Sequence, residues 1–150
     1  MLFCAGTAYA IRVLSAMRTD EGFAQARDLA ERTGLPSPYL SKVLHHLAEA
    51  GLLESARGPR GGYRLLASTE RITVGEVVAI LNRMKLDACI LGFEECPKGR
   101  RDCPLDRAWC EAKAHLDENL AHVTIQDMAR RGSEGLQVLP RVRPEGGCCG

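Results

Sequence analysis

The sequence predicts a mainly α-helical chain with one small β-hairpin. Three observations carry that prediction. Apolar residues recur every three or four positions through most of the chain, the spacing of one helix face. Glycine, proline and small hydroxyl residues stand at the borders of those segments, where helix caps belong. Two short runs, Leu52 to Ala56 and Tyr63 to Leu66, flank a loop too rich in glycine and proline for either element.

The elements follow in order. Tyr9, Val13 and Met17, with Ala10 and Leu14 beside them, predict a first helix over Leu2–Arg18, broken by Asp20-Glu21-Gly22. Ala24–Thr33 is a short helix with Ala26, Leu29 and Ala30 on one face, and Gly34 stands where a left-handed cap is needed. Ser37 then reads as an N-cap and Pro38 as the first helical residue of a helix reaching Ala50. Its inward residues are Leu40, Val43, Leu44 and Leu47, and Gly51 ends it. After the hairpin, Thr73-Val74-Gly75-Glu76 has capping-box spacing and opens a helix to about Asn82. Pro104 starts a long helix to His122, with Leu105, Ala108, Trp109, Ala112, Leu116, Leu120 and Val123 as its apolar stripe. Thr124 caps a last helix ending at Gly132.

Composition excludes several classes. The chain has 150 residues, 45% hydrophobic and 26% charged, which suits one domain or one domain with a helical extension. No apolar run approaches the roughly 20 residues of a membrane span, and the start does not read as a secretory signal, so a cytoplasmic protein without membrane contact is expected. The net charge of +1 names no partner, so any nucleic-acid site must be a local patch. Aromatics at 5% argue against base stacking. There is no glycine-rich phosphate loop, His-Glu-x-x-His or nucleophile elbow, and Cys110 with His115 is off-face for a dyad, so no enzyme is expected.

Two helices joined by a short turn with glycine can place the second in a DNA major groove. The polar residues of that second helix are Ser37, Tyr39, Ser41 and Lys42, and the hairpin adds Arg57, Arg60 and Arg64 as phosphate contacts. His45 and His46 point about 100° apart on a helix, which predicts that they cannot both face one ligand.

Tyr9-Ala10-Ile11-Arg12, Leu29-Ala30-Glu31-Arg32-Thr33-Gly34-Leu35, Tyr39-Leu40 and Arg57-Gly58-Pro59-Arg60-Gly61-Gly62-Tyr63 resemble the Rrf-two family. These are bacterial winged-helix regulators that include an iron–sulfur cluster regulator and a nitric-oxide-sensing repressor. The resemblance spans about residues 1–130. It implies a winged helix-turn-helix domain, a homodimer on a pseudo-palindromic double-stranded operator, the hairpin as a wing in the minor groove, and a long C-terminal dimerisation helix. The expected organisation is a DNA-binding domain at 1–82, a cysteine-rich cluster loop at 83–103, a dimerisation helix and short following helix at 104–132, and a flexible tail at 133–150.

Seven cysteines in a chain without an export signal direct attention to metal or redox chemistry. Cys89, Cys96, Cys103 and Cys110 are each seven residues apart, but Gly92, Pro97, Gly99 and Pro104 break any helix that would align them. Three thiols on an irregular loop, with no Cys-x-x-Cys pair, suit an iron–sulfur cluster better than zinc. Cys103 precedes a helix start, where the dipole favours an anionic ligand. The resemblance implies Cys89, Cys96 and Cys103 as ligands of a 2Fe-2S or 4Fe-4S cluster. Nitric-oxide-sensing members use an Asp from the first helix of the other subunit, and the matching residue here is Ala8. The fourth position is open between Cys110, Cys4 and a solvent or small-thiol ligand. The expected function is a repressor whose operator affinity follows nitric oxide, redox state or cluster supply. The alternative is a cluster-free regulator with a reversible Cys96–Cys103 disulfide.

Overall fold

The computed structural model describes residues 3–81 and 103–135. In order they form α1 (Ala5–Ala16), α2 (Ala26–Thr33), α3 (Ser37–Glu49), β1 (Leu53–Ala56), β2 (Gly62–Leu65), α4 (Val74–Leu81), α5 (Pro104–His122) and α6 (Ile125–Gly135). A helix-turn-helix is thus followed by a two-stranded hairpin and three further helices, as the sequence predicts. Cys89, Cys96 and most of the expected cluster loop lie outside the described residues, as do Cys148 and Cys149.

Burial follows the helical spacing. Leu14 of α1, Leu29 of α2, Leu40, Leu44 and Leu47 of α3, and Leu53 of β1 are fully buried in one cluster. Such residues carry most of the stability, at about 25 cal/mol for each Å² of apolar surface removed from water. Ile125 of α6 lies in the same cluster, so the helix after α5 returns to the core and packs on α1.

Helix ends differ from expectation for identifiable reasons. α1 stops at Ala16 because Met17 turns extended, with φ −87° and ψ 148°. Arg32 of α2 then donates to the free Ala16 carbonyl at 2.7 Å and pairs with Glu21 at 2.9 Å. α2 starts at Ala26, because Ala24 is bridged to Tyr63 of the hairpin. Gly34 takes the predicted left-handed cap at φ 67°. α3 begins one residue early, so Pro36 rather than Ser37 is its N-cap. α6 runs to Gly135, past the predicted end at Gly132.

α4 and α6 start side by side, each with a reciprocal capping box. In the first, Thr73 N–H donates to Glu76 Oε2 at 2.7 Å and Glu76 N–H donates to Thr73 Oγ1 at 3.2 Å. In the second, Thr124 and Asp127 repeat the pattern at 3.0 and 3.1 Å. Backbone bonds Val74 N–H to Val123 O and Ile125 N–H to Ile72 O, both 2.8 Å, tie the two starts together. Gly75 permits the crossing of α4 and α5: a Cβ there would stand 3.2 Å from the backbone of Leu120 and Ala121. Among the described residues, no helix is long and apolar enough to cross a membrane.

Candidate nucleic-acid interface

With Leu40, Val43, Leu44 and Leu47 turned inward, α3 leaves Pro38, Lys42, His45 and Glu49 exposed along its opposite side. These positions are spaced four, three and four residues apart, one continuous stripe. Lys42 makes no hydrogen bond or ion pair with the described residues, so its ammonium is free for an anion.

The other predicted α3 residues sit differently. Tyr39 turns toward α1 and meets the Tyr9 ring edge-on, with centroids 5.2 Å apart. Ser41 donates its hydroxyl to the Ser37 carbonyl at 3.0 Å, which leaves only its oxygen lone pairs to offer. Ser37 is half-buried in the first turn.

The hairpin pairs Leu53 with Leu65, Glu54 with Arg64, Ser55 with Tyr63 and Ala56 with Gly62. It is braced from its second edge. Tyr63 and Ala24 exchange backbone hydrogen bonds of 2.8 and 3.0 Å, and Gln25 Nε2 donates to the Pro59 carbonyl at 2.9 Å. Two glycines make this possible. A Cβ on Gly62, whose φ is +136°, would lie 2.2 Å from the Ala24 oxygen, and one on Gly61 would lie 2.2 Å from the Ala56 oxygen. Their small size thus serves the close approach of the chain to itself.

The three hairpin arginines separate into two kinds. Arg57 and Arg60 extend from the tip without a partner among the described residues. Arg64 pairs with Glu54 and lies 4.7 Å over the Phe23 ring. The structure brings the free cations Lys42, Arg57 and Arg60 onto the exposed helix and hairpin tip, and commits Arg64 to holding the hairpin.

The expectation for the two histidines is corrected. His45 Nε2 and His46 Nδ1 each lie 3.3 Å from one oxygen of the same carboxylate, Glu49. Their divergence by 100° places them on either side of a residue three and four positions on, so both reach it. The i, i+4 spacing of His45 and Glu49 was the available sequence signal.

Three cysteines are described, all as free thiols. Cys103 is half-buried at the N-cap of α5, where no side chain caps the helix. Cys110 is exposed. Cys4 is 5% exposed, and its sulfur lies 3.4 Å from Thr7 Oγ1 and 3.6 Å from the Leu81 carbonyl at the end of α4. No cluster of three metal-ligating side chains occurs among the described residues.

A helix-turn-helix with a braced, arginine-tipped wing defines a winged-helix DNA-binding protein. The comparisons with known proteins place it more closely. A model of the Rrf2 (Rrf-two) family, described as iron-dependent transcriptional regulator, matches residues 4–131, and the chain belongs to that family. It is 30% identical over 114 residues to the HTH-type transcriptional regulator IscR of Vibrio campbellii, covering 76% of this chain and 67% of that one. Among solved structures, T. potens IscR is similar at 26% identity and a TM-score of 0.66, over 89% of this chain and 90% of its own. The oxidized form of Staphylococcus aureus CymR shares the fold at 21% identity and a TM-score of 0.64, over 86% and 96%. The protein is therefore a DNA-binding transcriptional regulator and not an enzyme.

Proposed function

We propose that the chain is a cytoplasmic, homodimeric repressor that grips a pseudo-palindromic operator and holds an iron–sulfur cluster through Cys89, Cys96 and Cys103. The position of Cys103 supports this reading most. Its sulfur is a free thiol at the N-cap of α5, beside the backbone N–H groups of the first turn, to which it makes no capping hydrogen bond. A helix start of that kind favours an anionic ligand atom, and thiolate is the ligand such clusters take. The described part of the donor set therefore fits the group. Exposed Cys110 lies on the same helix, about 10 Å further along, whereas Cys4 is enclosed by its own chain.

When bound, a cluster supplies irons whose ligation responds to nitric oxide and oxidants. The chain's own part is mechanical. α5 is held at its far end by the bonds among Ile72, Val74, Val123 and Ile125, and by the close packing of Gly75 on Leu120 and Ala121. Its near end carries Cys103, and Leu105 there is 41% exposed. A shift at Cys103 tilts α5 about this crossing. α4, which also packs on α1 and α3, passes the tilt to the DNA-facing helix. In a dimer that tilt changes the separation of the two recognition helices, which must match one turn of DNA.

The deciding measurement is iron and sulfide content of anaerobically purified protein, beside Cys89→Ala, Cys96→Ala and Cys103→Ala variants. Wild-type protein is expected to hold iron and sulfide and each variant to lose most of both. Colourless, iron-free wild type overturns the reading. Loss of two hydrogens by mass after mild oxidation of that iron-free protein would put the disulfide switch in its place.

A further inference from the structure

The exposed stripe of α3 carries a group that phosphate contact does not explain. Glu49, 60% exposed at its side chain, stands seven residues past Lys42 on the face that a major groove receives. A carboxylate there opposes the DNA backbone. The structure flanks it with two imidazoles, each at 3.3 Å and each on a different oxygen. We infer that His45, His46 and Glu49 form a proton-operated contact that sets how tightly α3 holds DNA.

Charge makes the argument. With both histidines neutral, Lys42 and Glu49 cancel and the stripe offers phosphate nothing net. With both protonated, the same four residues carry a net charge of two positive units. Histidine is the side chain whose ordinary charge change falls between pH 5 and 8. His45 is exposed enough to touch DNA itself, at 65% of its side chain, while His46 at 32% acts through Glu49.

The surroundings leave this trio to itself. α3 packs against α1, α2, β1 and α4. Their charged groups are Arg12 on α1, Arg27, Asp28, Glu31 and Arg32 on α2, Glu54 on β1 and Glu76 on α4. Arg27 pairs with Glu31, Arg32 with Glu21 and Glu54 with Arg64, and Glu76 closes its capping box with Thr73. Neither Arg12 nor Asp28 forms an ion pair or hydrogen bond with His45, His46 or Glu49. On α3 itself, Lys42 is the remaining charged group.

The inference rests on α3 facing the groove, and its test separates the two. Binding of the full chain to a rhodamine-labelled, mixed-sequence 30-base-pair duplex is followed by anisotropy from pH 8 to pH 6 at fixed salt. Two added charges near phosphate are expected to tighten binding about tenfold across that range. The His45→Gln/His46→Gln double variant is expected to lose most of the change, and His115→Gln/His122→Gln on α5 to keep it. His45→Lys, which fixes one charge on an exposed position, is expected to bind at pH 8 more tightly than wild type. Binding that does not respond to pH, or a response that survives the double variant, overturns the inference and leaves the interface standing. No binding at any pH overturns both.

Discussion

The wing and the first half of α5 both stand away from the main core, yet the chain treats them differently. The wing tip has no apolar residue to bury, and it is fixed by backbone pairing to Ala24, the Gln25–Pro59 bond and Arg64 over Phe23. α5 is one regular helix of 19 residues, about 28 Å long, and its first half presents Leu105, Ala108 and Ala112 to solvent. Its second half rests Leu120 against the core, and Val123 just past its end does the same. The contrast teaches that the winged helix-turn-helix is braced by its own residues, whereas α5 has an apolar surface that the described residues leave uncovered. Substitutions can break that contrast or sharpen it.

The largest effect belongs to the shared core that positions α3. Leu44 is 0% exposed, and Leu44→Ala removes buried methyl groups and leaves a cavity. It is expected to lower unfolding stability by about 3–4 kcal/mol, read from the urea midpoint. Gly62→Ala comes next. The added Cβ meets the Ala24 oxygen at 2.2 Å with the backbone at φ +136°, so the pairing of Tyr63 with Ala24 must open. A loss of about 2–3 kcal/mol is expected, together with faster amide exchange at Tyr63 than at Leu53. A Gly62→Ala protein as stable as wild type would show that the wing is not braced.

Arg57 and Arg60 then distinguish contact from support within the wing itself. Replacing both by Gln removes two free cations, and the salt slope of DNA binding is expected to fall by about two, with affinity reduced roughly tenfold. Arg64→Gln leaves that slope nearly unchanged, because its charge already faces Glu54. It weakens binding only through a looser wing. Equal slopes for the two variants would mean that Arg64 leaves Glu54 to meet phosphate.

Legibility in the sequence divides along the same line. The helix pattern, the Gly34 cap, the capping box at Thr73 and the bounds of α5 were readable, because each is local: a period of 3.6, a positive φ, a side chain reaching three residues. The roles of Tyr39, Arg64 and the two wing glycines were not. Those depend on Tyr9, Phe23, Glu54 and Ala24, residues brought near only when the chain closes. The same limit explains why basic residues on a hairpin look alike in sequence and separate in space. His45 and His46 depart from expectation for a narrower reason: two imidazoles 100° apart can straddle a carboxylate three and four residues further on, and Glu49 stands there.

The smallest expected effect in a single copy is the most informative about α5. Leu105 is 41% exposed, so Leu105→Ala removes little buried surface within the chain and is expected to cost below about 0.5 kcal/mol at protein concentrations where copies are apart. If a second copy covers that face, wild-type stability rises with protein concentration by mass action. The variant then lags further behind as concentration rises, and sedimentation shows weaker self-association. A Leu105→Ala cost that is small and the same at every concentration would mean that no second copy uses this stripe. A cost near that of Leu44→Ala even at dilution would mean that the first half of α5 is buried within its own chain. The concentration series therefore separates three arrangements of one helix, and only the growing deficit matches a helix completed by its own duplicate.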